Sequence, residues 1–151
     1  MKKISIILAA LGLFISSATM AIPEESVASS VKKAFHTSFS NAKKVKWDKI
    51  QEFYFVTFLQ NEKEISVAYN EQGEVMGSSE MLSYENLPVL TQIALHEQYG
   101  RYTRSPQVYS ITCNGLTDYF VTAVNEKRLL KLKCSEDGGI TVIQSTKLKK
   151  Q

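Results

Sequence analysis

The chain has 151 residues, 44% of them hydrophobic, which excludes an intrinsically disordered polypeptide. Its net charge is +3, from 18 basic and 15 acidic residues, so the charge balance gives no electrostatic argument for a nucleic-acid partner.

The chain opens with Met1-Lys2-Lys3, a short positive start, followed by an apolar run from Ile4 to Ile15 broken only by Ser5 and Gly12. Small residues, Ser16-Ser17-Ala18-Thr19-Met20-Ala21, follow. That three-part plan predicts a secretory signal peptide over residues 1–21, cleaved near Ala21. A membrane-spanning helix needs about 20 apolar residues, more than this core supplies. No cysteine precedes Cys113, so the lipid-accepting cysteine of a lipoprotein is missing. The expected product is residues 22–151, periplasmic or secreted, without a stable membrane anchor. Lys2 and Lys3 leave with the leader, so its charge falls to 16 basic against 15 acidic, or +1. The basic tail Lys147-Leu148-Lys149-Lys150 reads as a solvated terminus.

Val27, Val31, Phe35 and Phe39 recur every four residues and line one helical face. Strand chemistry follows. Val45 and Trp47 alternate with Lys44, Lys46 and Asp48; Phe53 to Leu59 is aromatic and β-branched; Ile65, Val67 and Tyr69 alternate with polar residues; a weaker fourth strand starts at Val75. Turns are expected at Gln60-Asn61-Glu62-Lys63 and at Asn70 to Gly73. A second helix is expected with Pro88 in its first turn, Leu90, Ile93 and Ala94 facing the core, and Gly100 just after its last. Asn114-Gly115 then marks a two-residue hairpin.

The tetrapeptide YFVT occurs at Tyr54–Thr57 and again at Tyr119–Thr122, 65 positions later. The same offset carries Glu71 onto Glu136, Gly73 onto Gly138 and Val75 onto Ile140. Before the tetrapeptides the offset is 60: Ala34, His36 and Phe39 fall on Ala94, His96 and Tyr99. The second copy therefore has five extra residues ahead of its YFVT, expected to form a longer strand or loop. A repeat fixes an architecture before any single element does. The expected fold is α+β: a helix plus a four-stranded antiparallel meander, tandemly duplicated (about 22–85 and 86–148), with the helices on one sheet face. The two repeats form one domain over 22–151.

The stretches "AFHTSFSNAKKVKW", "YFVTF" and "VAYNEQGEV", then "LP" and a helix ending "QYG", resemble the PepSY-like, β-lactamase-inhibitor-like (BLIP-like) domain of bacterial exported proteins. Its markers here are Asn41-Ala42, the Val45-x-Trp47 strand and the turn between Tyr69 and Gly73. Ser40 stands where members often have proline, and the second unit lacks the Val-x-Trp strand. The resemblance covers nearly all of residues 22–151 and implies a tandem α/β4 architecture and an envelope location. Its inhibitor label comes from fold likeness, and fold does not transfer function. No inhibitory residue is carried across.

His36 and His96 occupy equivalent repeat positions and could approach one another, but metal sites need three or four ligands at fixed spacing. Both lie beside the buried stripe, so no metal site is expected. The acidic turns Glu71–Glu74 and Glu136–Gly139 are too short for calcium loops and read as hairpin turns. Cys113 and Cys134 form a possible disulfide. An oxidising compartment favours it, while their expected positions on alternate strands oppose it, and both outcomes stay open. No serine sits in a strained glycine elbow, and no CxxC, phosphate loop or zinc helix motif occurs. No catalytic or cofactor-binding residue is therefore nominated.

Seven Tyr, seven Phe and one Trp offer interface chemistry, although aromatics are also what small cores are made of. The candidate interface is Tyr54, Phe58 and Tyr119 on one face of the YFVT strands, with Trp47 as an outlier. The function read from these features is an exported, non-catalytic module that binds an envelope protein or peptide through an open sheet face. The alternatives are an inhibitor of an envelope hydrolase, such as a β-lactamase or peptidase, and a self-associating structural protein.

Overall fold

The computed structural model describes residues 21–149; the signal-peptide expectation falls on residues 1–21 and so lies, apart from Ala21, outside the described residues. The described residues are α+β, with two α-helices and ten strands in a large antiparallel sheet. It divides into two compact units. One comprises the residues up to Glu80 with Ile111–Gly115; the other comprises Met81–Ser110 and the residues from Leu116 onward.

In the first unit, a two-residue strand β1 (Ala21–Ile22) and a 3-10 turn at Glu24–Ser26 lead into α1 (Ser29–Ser38). Then come β2 (Lys43–Ile50), β3 (Phe53–Gln60), β4 (Lys63–Tyr69) and β5 (Val75–Ser83), hydrogen-bonded in the order β1-β2-β3-β4-β5, with the residues of β5 dividing between the two units at Glu80. The four-residue periodicity does its expected work. Val27, Val31 and Phe35 are buried, and Phe39 is half-buried. They pack on Trp47, Tyr54, Val56, Phe58, Val67 and Tyr69, the inward residues of β2, β3 and β4. Phe35 meets Trp47 and Phe58 edge-on, each with ring centroids 5.2 Å apart. Such edge-to-face pairs contribute about 1 kcal/mol each beyond area burial.

Turn chemistry sets the strand ends. Asn61 and Glu62 both have positive φ, 51° and 64°, which makes the β3–β4 turn twist with its strands. Asn70 organises the β4–β5 turn by accepting the backbone N–H of Gln72 and of Glu74 on its Oδ1. The expected alternation of Val45 with Trp47 is disturbed. The β2–β3 register shifts between Lys43 and Lys46, and Lys44 takes φ 53°. This β-bulge leaves Val45 36% exposed while Trp47 is 4% exposed.

The second unit contains α2 (Val89–Tyr99), β8 (Leu116–Val124), β9 (Arg128–Ser135) and β10 (Ile140–Lys147). β6 (Thr103–Arg104) and β9 both pair with β8, and β10 pairs with β9. The residues of β7 (Gln107–Cys113) divide between the two units at Ser110. Leu87 and Leu95 pack on Val108, Val121, Ala123, Leu130, Leu132 and Cys134. Asn114-Gly115 forms the expected tight turn, with φ 52° and 74°. The segment carrying the five extra residues, expected as a longer strand or loop, includes the short strand β6. Pro88 stands at the N-cap, just before the first turn of α2.

Candidate functional site

Strand parity decides which side chains a partner can reach. In β3, Tyr54, Val56 and Phe58 point to α1. Phe53, Phe55 and Thr57 therefore point to the opposite face, because side chains alternate along a strand. Phe55 lies opposite Ala68 of β4 and Asp48 of β2; Ala68 in turn lies opposite Gly77 of β5. Thr57, Ser66 and Ser79 form the next row, with Thr57 Oγ1 and Ser66 Oγ 2.8 Å apart. This helix-distal face thus combines two phenylalanines with a floor of Ala, Gly, Ser and Thr. Phe53, Phe55 and Ala68 are buried, and Thr57 is half-buried.

In β8, Tyr119, Val121 and Ala123 pack with the α2 core. Asp118, Phe120 and Thr122 point the other way and are half-buried. Lys133 of β9 lies opposite Phe120, and its Nζ is 2.8 Å from Asp118 Oδ2. The helix-distal face of this unit is thus a mixed surface: one aromatic ring beside an ion pair.

The expected interface is corrected by this geometry. Tyr54, Phe58 and Trp47 are 5%, 1% and 4% exposed, and all three belong to the core under α1. They present no surface to a partner. Tyr119 is half-buried against the α2 core, and its hydroxyl lies 3.4 Å from Glu136 Oε1. Burial and the Glu136 carboxylate hold the Tyr119 phenol above its ordinary pKa. Tyr54 is also engaged, since Lys49 Nζ donates to its hydroxyl at 3.1 Å and lies 4.5 Å from its ring centroid. That hydrogen bond, with the nearby Glu71 carboxylate, raises the Lys49 pKa.

Cys113 and Cys134 are both buried thiols with no disulfide. Cys113 Sγ donates to the Met76 carbonyl at 3.4 Å. Cys134 lies under α2, and burial lifts its thiol pKa to about 11, so it stays a protonated thiol at neutral pH. His36 Nε2 meets Glu24 Oε1 at 3.0 Å on the surface, and His96 is also exposed. Among the described residues, no group of three His, Cys, Asp or Glu side chains is placed to hold a metal. No helix among them is long and apolar enough to cross a membrane.

No family model matches the chain, and no curated relative does. Solved structures do. A proposed periplasmic protein from Bacteroides eggerthii superposes with a TM-score of 0.69 at 12% identity, over 80% of this chain and 88% of that one. A BLIP-like protein from Bacteroides fragilis gives 0.66 at 19% identity, over 86% and 90%. A DUF2874 family protein from Bacteroides uniformis gives 0.67 at 15% identity, over 79% and 88%. The chain has the BLIP-like fold. At these identities the likeness is one of fold alone: α+β, with helices and a large antiparallel sheet. The helix-facing aromatics of β2, β3 and β4 make the core under α1, and Phe53, Phe55 and Ala68 on the opposite face are buried as well.

Proposed function

We propose that this chain is an exported, non-catalytic binding module of the bacterial envelope, which takes a protein or peptide on the helix-distal face of its sheet. The observation that carries this reading is the chemistry of that face in each unit. In one unit it offers half-buried Thr57, since Phe53 and Phe55 are 3% and 0% exposed and reach no partner; in the other it bears half-buried Phe120 beside the Asp118–Lys133 pair. Aromatic rings beside satisfied polar groups are the usual anchors of protein recognition. An apolar leader over residues 1–21 and the Bacteroides eggerthii neighbour, described as a periplasmic protein, support the compartment. The two units are read as copies of one α-β4 unit. YFVT occurs in β3 and again in β8, and the burial pattern of α1 recurs sixty residues later in α2.

The experiment is crosslinking in the cell followed by capture of the tagged protein from the envelope fraction. Thr57→Lys and Phe120→Ser, each on a half-buried helix-distal position, are run beside wild type. A partner recovered with wild type and depleted with either variant, at unchanged circular dichroism, supports this reading. A partner retained by both variants contradicts the siting.

A second reading has its own observation, the 19% identical BLIP-like neighbour. It makes the chain an inhibitor of an envelope hydrolase. Purified protein added to β-lactamase and peptidase assays tests this; unchanged hydrolysis removes it for the enzymes assayed.

A further inference from the structure

Asp48 of β2 is a buried carboxylate, 8% exposed, with no side-chain hydrogen bond or ion pair among the described residues. An ionised carboxylate taken out of water without a partner is costly, and buried charges are ordinarily paired. Its neighbours on β2 do not supply that partner. Lys49 is engaged by Tyr54 and Glu71, and Lys46 is exposed. Trp47 enters the core under α1, so Asp48 points to the opposite face. Across the ladder, on the outer side of β2, Ala21 of β1 lies opposite Asp48 and Ile22 lies opposite Trp47.

The segment around Ile22 is tied down on both sides. Ile22 packs on the core under α1, β1 pairs with β2, and Glu24 Oε1 lies 3.0 Å from His36 Nε2 of α1. The Ile22 nitrogen is therefore held on the ladder beside Asp48, where directly opposed Cα atoms are about 4.5–5.5 Å apart. A charge carried on that nitrogen is within reach of the Asp48 carboxylate. Glu24, the nearest acidic residue along the chain, is already engaged by His36. In the uncleaved chain the nitrogen is an uncharged peptide amide. The expected leader ends at Ala21, so its removal changes this atom.

We propose that leader removal after Ala21 creates an ion pair between the α-ammonium of Ile22 and the Asp48 carboxylate, which locks the mature N-terminus onto β2. Water, with the envelope peptidase that removes leaders, cleaves the Ala21–Ile22 peptide bond. Ala21 leaves with the new carboxylate, and Ile22 keeps an amine that takes up a proton at neutral pH. The ammonium donates to Asp48 in a charge-assisted hydrogen bond. Before cleavage the unpaired Asp48 charge disfavours the folded state; after cleavage the same charge favours it. Folding is thereby biased toward the exported, processed chain. This pairing rests on the export reading and is independent of any partner on the helix-distal face.

N-terminal sequencing of the protein recovered from the envelope fraction is expected to begin at Ile22. An uncleaved leader overturns both the processing and the pairing, and another first residue overturns the pairing alone. Urea unfolding then compares this chain with one that carries Met-Gly-Ser ahead of Ile22, each with and without Asp48→Asn. Asp48→Asn is expected to lower the folded-to-unfolded ratio of the native chain about tenfold or more, and to leave the extended chain unchanged or more stable. The extension alone is expected to lower the ratio by a similar factor, a comparison that needs no substitution at Asp48. At pH 7 the Ile22 amine of the native chain is expected to acylate more slowly than that of the Asp48→Asn chain, which a merely structural role for Asp48 does not give. Equal effects of Asp48→Asn in the two chains, or equal acylation rates, overturn the pairing.

Discussion

Ser30 and Glu71 join the helix of the first unit to its last hairpin: the Ser30 hydroxyl donates to the Glu71 carbonyl at 2.6 Å. The close approach depends on a neighbour. Gly73 has φ +83°, and a Cβ there would lie 2.7 Å from the Ser30 carbonyl oxygen. In the second unit Thr91 reaches the Ser135 carbonyl, and Gly138, at φ +89°, sits under the Leu90 carbonyl. Each meander is therefore locked onto its helix by a hydroxyl and a glycine.

That lock gives a graded set of glycine substitutions. Gly115, at φ +74°, has no atom within 4 Å of a would-be Cβ, so Gly115→Ala carries only the left-handed backbone cost, about 1–2 kcal/mol. Gly73→Ala carries that cost and a backbone collision, and Gly138→Ala a milder one. Urea midpoints are expected to fall in the order Gly115→Ala least, Gly138→Ala next, Gly73→Ala most. Equal losses would contradict the lock.

The corrected role of Phe58 and Trp47 is as readily measured. Phe58→Ala removes a buried ring packed against Phe35 and Phe39, and is expected to cost about 3–5 kcal/mol. Thr57→Lys, one residue away on the other face, is expected to cost far less. Chemical denaturation separates the two, and similar losses would contradict the assigned parity.

The cysteines are expected to count as two thiols per chain. Native protein at pH 8 should react slowly with a thiol reagent, because both are buried and the Cys134 thiol ionises only near pH 11. Unfolding should release two equivalents. No thiol released after unfolding would show a bridge.

Tyr69 sets an alkaline limit. Burial raises its phenol from 10 to about 12, so the folded state favours the neutral form. Its contribution is complete below pH 10 and is lost as pH rises through 12; Cys134 adds a loss in the same sense from pH 9 to 11. The Tyr69 hydroxyl is a buried polar atom without a hydrogen-bond partner among the described residues. Tyr69→Phe is thus expected to hold or raise stability at pH 7 and to flatten the decline above pH 10 in a melting-temperature profile. A steeper decline would contradict this.

The helices, the meanders and the Asn114-Gly115 turn were legible because periodicity and turn chemistry are local. Two things were not. The bulge at Lys44 depends on strand pairing, which the alternation of Val45 and Trp47 does not report. The face of Tyr54 was ambiguous because β3 is apolar on both sides. The cleaner alternation of Val67 and Tyr69 across the turn held the answer, since Tyr69 lies opposite Tyr54 and both enter the same core.

The most direct test of the binding role is quantitative capture from the envelope fraction, with wild type, Thr57→Lys and Phe120→Ser compared at matched expression. One partner is expected to be recovered with wild type and lost, in whole or large part, with at least one variant that still folds. Equal recovery with all three would contradict a binding surface on the helix-distal face.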